Sequence, residues 1–358
     1  MLDPDIDRMM KAMQDNGEPP LVKDTTGEEA RQRGVEIRAR YYPPVLKGVT
    51  RIDERSIPGP AGDIPVRVYW PENPTGATIV FFHGGGWIIG DLESHDGHAR
   101  RLAATVGAVV VHVEYRLAPE NPFPAGYEDC LAATDWAYDH IDELGGRVDR
   151  IALAGDSAGG NLAAGVAVHC RDTGRPLAGQ LLIYPAVDLA AGLAVAGVKA
   201  GGFDSRGDDS NGFDSSDDSS GFDSRDDSSS DGFFTGQDDW VERQYLADDL
   251  SLAIDPRVSP MHASSHTELA PAVIGIGHHD PLLDQNLAYA KVLIAAGVPT
   301  VLREYPDLIH GFFGMGGVSA SAERAADQLC RDLRTLLIDT AEDGRYGGAA
   351  LTGSERSI

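Results

Sequence analysis

The stretch Gly155-Asp156-Ser157-Ala158-Gly159 sets a serine among small residues in the pattern G-x-S-x-G. An apolar run, Arg150-Ile151-Ala152-Leu153-Ala154, leads into it, and an Ala-rich run, Gly160-Asn161-Leu162-Ala163-Ala164, leads out. A strand that turns this sharply into a helix leaves room only for small side chains beside the serine. Such a turn lifts the hydroxyl clear of a sheet, where it can meet a base and a substrate. A serine hydroxyl is a weak nucleophile by itself. Acyl transfer also needs a base for its proton, a group that orients the base, and donors for the oxyanion formed on attack.

Candidates for the other parts stand at the ends of further apolar runs. His83-Gly84-Gly85-Gly86-Trp87 follows one of them. Glycines let backbone N–H groups approach a developing negative charge without a Cβ clash, so Gly85 and Gly86, with the N–H of Ala158, are the oxyanion donors expected. No Gly-Lys-Ser/Thr follows and the G-x-G-x-x-G spacing fails, which argues against a phosphate-binding loop. His83 is read as a brace for the loop, with Gly84 and Asp156 as motif support.

The base expected is His310, in Asp307-Leu308-Ile309-His310-Gly311-Phe312, after the last strand-like run. His262 and His266 lie in a polar loop, and His278 and His279 adjoin the acid candidate; none has this placement. Between Gly277 and Asp284 two aspartates compete for the orienting role. Asp280 is nearer the preceding strand and is the choice, while Asp284 reads as a cap or first-turn acid of the next helix. The resulting order, Ser157…Asp280…His310, is that of α/β-hydrolases.

These residues need a scaffold, and the chain alternates strand-like and helix-like segments. Strands are expected over 78–82, 108–113, 150–154, 181–184, 272–276 and 301–304, and helices over about 95–106, 124–143, 158–173, 284–297 and 319–338. Short apolar strands between amphipathic helices imply a mostly parallel sheet covered on both faces. Residues 49–70 alternate polar and apolar and read as antiparallel edge strands. Residues 1–45 read as one or two helices, with Ile6, Met9, Met10 and Met13 on one face and a start at Thr26-Gly27-Glu28-Glu29.

Of 358 residues, 42% are hydrophobic, enough for a large core, and the formal net charge is -26. Such an acidic chain repels nucleic acid and anionic membrane surfaces, so neither is expected as a partner. No basic, apolar leader stands at the N-terminus and no apolar run would span a bilayer, so a cytoplasmic protein is expected. Cys130, Cys170 and Cys330 are far apart and form no C-x-x-C, so neither a disulfide frame nor a metal is expected.

One segment departs from the pattern. Within 201–232 the unit Gly-Phe-Asp-Ser recurs at Gly202, Gly212 and Gly221, and ten aspartates face two arginines. That composition buries too little apolar surface to offset its ordering entropy and reads as a solvated insertion. The spacing matches neither an EF-hand loop nor a glycine-rich calcium repeat. The chain from Ala341 onward also reads as disordered. The acidity of the body fits plain solubility or adaptation to high salt, and the sequence does not separate them.

With these motifs in hand, the chain resembles the hormone-sensitive lipase family of α/β-hydrolases, particularly its bacterial esterases. Further matching stretches are Tyr115-Arg116-Leu117-Ala118-Pro119-Glu120, Phe123-Pro124-Ala125, Leu182-Ile183-Tyr184-Pro185 and Val258-Ser259-Pro260. The resemblance covers about 45–340 apart from the insertion. It implies an α/β-hydrolase fold, a mostly parallel central sheet flanked by helices, with a helical cap. The expected organisation is cap helices at 1–45, core at 46–189, a cap insertion at 190–250 that includes the repeat, core at 251–340, and a tail at 341–358. It also implies a serine carboxylesterase for short acyl esters that needs no cofactor and uses the Ser157–Asp280–His310 set. A homodimer is plausible on the same likeness. Residues 190–235 replace the family's usual cap sequence. The flanking Phe233, Phe234 and Trp240, with Trp87, Leu282 and Phe312, are candidates for the substrate pocket, although ordinary packing explains them equally well. An amidase, a deacetylase, a long-chain lipase, a ligand-binding receptor on the same fold, or an interaction protein working through the repeat are the other readings.

Overall fold

The computed structural model describes residues 1–19, 25–195 and 239–343, so the repeat, Phe233, Phe234 and the chain after 343 lie outside the described residues. The fold is an α/β-hydrolase fold. One eight-stranded sheet runs in the order β1-β2-β4-β3-β5-β6-β7-β8. Its strands are β1 (Arg51–Gly59), β2 (Gly62–Trp70), β3 (Thr78–Phe82), β4 (Val109–Val113), β5 (Ile151–Asp156), β6 (Gly179–Ile183), β7 (Ala272–His279) and β8 (Thr300–Ile309). The β1–β2 and β2–β4 pairs are antiparallel and all others parallel. Strands β3, β4, β5 and β6 are buried along their whole length, as strands covered on both faces must be.

Two apolar layers sandwich the sheet. On one face lie α4 (Ala125–Asp139), α5 (Ala158–Asp172) and α8 (Leu283–Ala295). On the other lie α3 (Asp96–Val106) and α9 (Ala320–Asp343), and the N-terminal helices α1 (Pro4–Asp15) and α2 (Gly27–Tyr41) join that second cluster. Asp3 caps α1 by accepting from the N–H groups of Asp5 and Ile6, and Pro4 opens the helix. Thr26 and Glu29 close a capping box on α2, where the sequence places a helix start. Ile6, Met9, Met13 and Ile37 are buried, so these helices are fastened by apolar area. Two short helices, α6 (Leu189–Val195) and α7 (Trp240–Leu246), flank the undescribed segment.

The last strand is longer than its apolar run suggests. The sequence points to 301–304, while β8 reaches Ile309. It is an edge strand with polar Arg303 and Asp307 on it, and a bulge between Gly277 and His279 of β7 lets pairing continue to Ile309. Opposite, Arg101 is 2% exposed and binds Glu323 and Asp327, which Lys47 also contacts at 2.9 and 3.1 Å. That network ties α3 to α9, since a buried guanidinium must be paired.

The β5–α5 turn is seated directly on β3. A Cβ on Gly159 would lie 2.0 Å from the Phe82 carbonyl oxygen and 2.5 Å from that of His83. Gly159→Ala is therefore expected to lower unfolding free energy by about 1–3 kcal/mol or more. Gly192→Ala, at an exposed helical position with nothing within 4 Å, should be neutral or stabilising by up to about 1 kcal/mol. Urea denaturation of the two variants checks the contrast.

Candidate active site

Ser157 stands between the end of β5 and the start of α5 with φ 54° and ψ -118°. Positive φ is costly for a residue with a side chain and persists only where the surroundings enforce it. Here the Ser157 N–H donates to the Ile183 carbonyl at 2.8 Å, and the Ser157 carbonyl accepts from Asn161 N–H at 2.9 Å. A Cβ on Gly155 would meet the Gly159 carbonyl oxygen at 2.1 Å, which explains the small residues on either side.

The structure brings Ser157, His310 and Asp280 into one hydrogen-bonded line. His310 Nε2 lies 2.9 Å from Ser157 Oγ, and His310 Nδ1 lies 2.8 Å from Asp280 Oδ2. Asp280 is 5% exposed, and its other oxygen accepts from Leu282 N–H at 2.8 Å. With Nδ1–H donated to a carboxylate, Nε2 presents its lone pair to the serine hydroxyl. Burial opposes protonation of His310, but the charge and hydrogen bond of Asp280 outweigh it and raise its pKa above the ordinary 6.5. Asp284 lies in the first turn of α8, where its charge suits the helix N-terminus.

The glycine loop is held against the serine turn by Asp156. Gly84 N–H donates to Asp156 Oδ1 at 3.0 Å, and a Cβ on Gly84 would lie 2.4 Å from Asp156 Oδ2. Gly85 and Gly86 have φ 121° and 60°. The Gly85 carbonyl is engaged by the N–H groups of Ile88 and Ile89. Among the described residues, nothing accepts from the N–H of Gly85 or Gly86. The N–H of Ala158 opens α5 and is free in the manner of every first-turn amide. His83 is fully buried beneath the loop, stacked on Tyr115 at 4.4 Å, with Nδ1 2.9 Å from the Gly84 carbonyl. Burial depresses its pKa.

A cavity of about 1270 Å³ opens over this arrangement. Ser157, His310, Gly85 and Tyr184 form its floor, and residues of α1 and α2, including Met9, Met10, Met13 and Arg38, line the other side. Trp87, Trp240, Leu282 and Phe312 are not among its described lining. Trp87 is buried in a stack on Tyr245, with rings 4.2 Å apart and 6° from parallel. Phe312 packs between Tyr184 and Tyr305. Leu282 leads into α8, and Trp240 opens α7. Aromatics beside a motif are apolar mass, and here packing claims them.

Several cavity residues are absent from the sequence reading. The methionines of α1 signal only an apolar helical face. His95 and His98 begin α3, and with Asp156 they form a buried trio whose ligand atoms all lie within 4.8 Å of one another. Their i, i+3 spacing at a helix start is the one sequence signal for it. Burial, then the charge of Arg38, drives His95 well below the ordinary histidine range, and burial also does so for His98.

No described helix is long and apolar enough to cross a membrane. A family model described as alpha/beta hydrolase fold matches residues 79–202 and 214–314. The carboxylic ester hydrolase LipN of Mycobacterium tuberculosis is 38% identical over 347 residues, spanning 94% of this chain and 83% of its own. An ethyl acetate hydrolase of Pseudomonas putida is 33% identical, spanning 73% and 74%. The hyperthermophilic esterase of Pyrobaculum calidifontis superposes with a TM-score of 0.74 at 30% identity, covering 94% of this chain and 99% of its own.

If His310 acts as the base, it must be neutral, so the rate falls as pH drops through its raised pKa. The acid limb of kcat/KM should then have its midpoint above 6.5. Asp280→Asn removes the two larger effects that raise the pKa and leaves burial opposed only by the charge of Asp156, so the limb should move to lower pH while turnover drops by about 10³–10⁴-fold. Profiles from about pH 5 to 9 for both proteins check this.

Proposed function

Because this chain belongs to the Abhydrolase_3 family, the hormone-sensitive lipase type of α/β-hydrolases, and is a carboxylic ester hydrolase, we propose that it works through a Ser157–His310–Asp280 triad and an acyl-enzyme. The observation that carries the reading is the continuous line from Ser157 Oγ through His310 to buried Asp280, 2.9 and 2.8 Å in its two steps.

His310 takes the Ser157 proton as the hydroxyl attacks the ester carbonyl. Asp280 fixes the imidazole tautomer and stabilises the imidazolium. The oxyanion lies against the N–H groups of Gly85, Gly86 and Ala158, at the positive end of α5. His310 then protonates the leaving alcohol, and water repeats the sequence on the acyl-enzyme. Asp156 serves as a positioning residue that couples the glycine loop to the nucleophile. The helices of residues 1–45 act as the cap over the cavity. Short acyl chains are the proposed substrates. The ethyl acetate hydrolase among the relatives supports this, as does the partly polar cavity lining.

A p-nitrophenyl ester series from acetate to palmitate, run on wild type and Ser157→Ala, tests the proposal. Acetate or butyrate should be turned over best, and Ser157→Ala should lose about 10³-fold or more of kcat. Ester turnover surviving in Ser157→Ala would remove the nucleophile assignment, and a maximum at palmitate would replace short-chain with long-chain specificity.

A further inference from the structure

Arg38 stands out on electrostatic grounds. The chain has 56 acidic residues against 30 lysines and arginines, so a cation is rarely far from a carboxylate. Most described arginines are ion-paired, Arg150 and Arg334 donate to backbone carbonyls, and Arg324 is exposed. Arg38 is half-buried, and among the described residues no carboxylate or carbonyl accepts from it. Its guanidinium carbon lies 5.9 Å from the centre of the Tyr42 ring.

Its place is the cavity that holds Ser157 and His310. A methyl group on Gly314 would lie 2.9 Å from His98 Cε1 and 3.9 Å from Arg38 Nη1, so Arg38 and His98 border the same space. Asp156 keeps one oxygen within 4.8 Å of a His98 ring nitrogen, and the carboxylates on this side of the cavity are held by other donors. Asp156 accepts from Gly84 N–H, Asp91 from Ser94 N–H at 2.6 Å, and Glu114 from Leu92 N–H at 2.8 Å. Burial pushes Glu114 up to about 7, so much of its charge is absent at neutral pH. Glu28, Glu29 and Glu36 are on the exposed side of α2. A metal ion on His95, His98 and Asp156 would have to tolerate a guanidinium beside it. The same guanidinium, next to neutral imidazoles that can donate N–H, suits an anion.

We propose that Arg38 and His98 form an anion subsite of the catalytic cavity, and that the preferred substrates are esters carrying a carboxylate on the acyl or the alcohol side. This rests on the serine esterase reading for the reaction and on the geometry around Gly314 for the specificity. A free carboxylate in the substrate supplies the partner that the protein itself withholds from Arg38, and a planar guanidinium can bind it with two parallel hydrogen bonds.

Two substrate pairs, compared at about 0.15 M salt to limit long-range repulsion, test it and assign the side. Mono-p-nitrophenyl glutarate against p-nitrophenyl valerate probes the acyl side. Acetoxyacetate against ethyl acetate probes the alcohol side. The ratio of kcat/KM, charged over neutral, is read within each protein, so a loss of folded enzyme cancels. In at least one pair the ratio should fall about tenfold or more in Arg38→Gln, mainly through KM, and Arg38→Lys should recover part of it. Ratios unchanged within about twofold in both pairs would overturn the subsite. Glutarate binding by calorimetry needs no turnover and should weaken by about tenfold or more in Arg38→Gln. No binding to wild type, or equal binding to both, would overturn the subsite. If no ester is turned over by wild type, the esterase mechanism falls, and calorimetry alone decides the subsite.

Discussion

The close seating of the β5–α5 turn on the end of β3 is the constraint from which the rest of the site follows. Gly159 sits against the carbonyls of Phe82 and His83, and Gly155 against Gly159, with no room for a Cβ at either. That contact forces the serine between them into a strained conformation and lifts its side chain off the sheet. It also brings the loop after β3 within reach of Asp156, whose carboxylate accepts the Gly84 N–H. Two sequence motifs 72 residues apart thereby become one surface. The loop can then leave the Gly85 and Gly86 amides uncommitted, because Gly84, His83 and Tyr115 carry the anchoring.

The electrostatics of the site divide its histidines into two kinds. His83, His95, His98 and His112 are buried without a close anionic hydrogen-bond partner, and burial holds each below its ordinary pKa. His310 is largely buried too, yet it shifts the other way because Asp280 faces Nδ1. One carboxylate therefore separates a histidine with a raised pKa from neighbours whose pKa is depressed. The pair tolerates burial because Asp280 has a second donor in Leu282 N–H, so neither oxygen is left without a partner.

How far the sequence reveals this depends on how local each signal is. The elbow, the glycine loop and the buried strands are legible because each is set by contiguous residues: small ones at the turn, apolar runs in the sheet. His310 and Asp280 are legible as loop residues following strands, since parallel sheets gather chemistry at those ends. The length of β8 is not, because pairing with β7 across a bulge, rather than apolar character, extends it through Asp307. Nor is the identity of the cavity wall. Trp87 and Phe312 read as pocket aromatics but are core, whereas Met9, Met10 and Arg38 read as the faces of two polar helices. Which helix face meets a cavity is fixed by how α1 and α2 dock on the second apolar layer, a long-range packing outcome without a local sequence mark.

That docking gives the cavity two walls of different character. The floor is fixed by backbone: Ser157, Gly85 and Tyr184 are held by hydrogen bonds of β-strand ends and loops, and Tyr184 itself has φ 38°. The opposite wall includes methionines, whose unbranched side chains adapt to what lies against them, among polar residues such as Arg38. Its helices are nonetheless anchored. The Asp3 N–H donates to the Asp307 carbonyl at 2.9 Å, three residues before His310, and Arg31 donates to the Ile88 carbonyl at 3.0 Å in the glycine loop. The same two helices therefore touch both the segment bearing His310 and the loop bearing Gly85 and Gly86. A residue of α2 that faces the cavity, such as Arg38, is therefore carried on a helix anchored to the core beside the glycine loop.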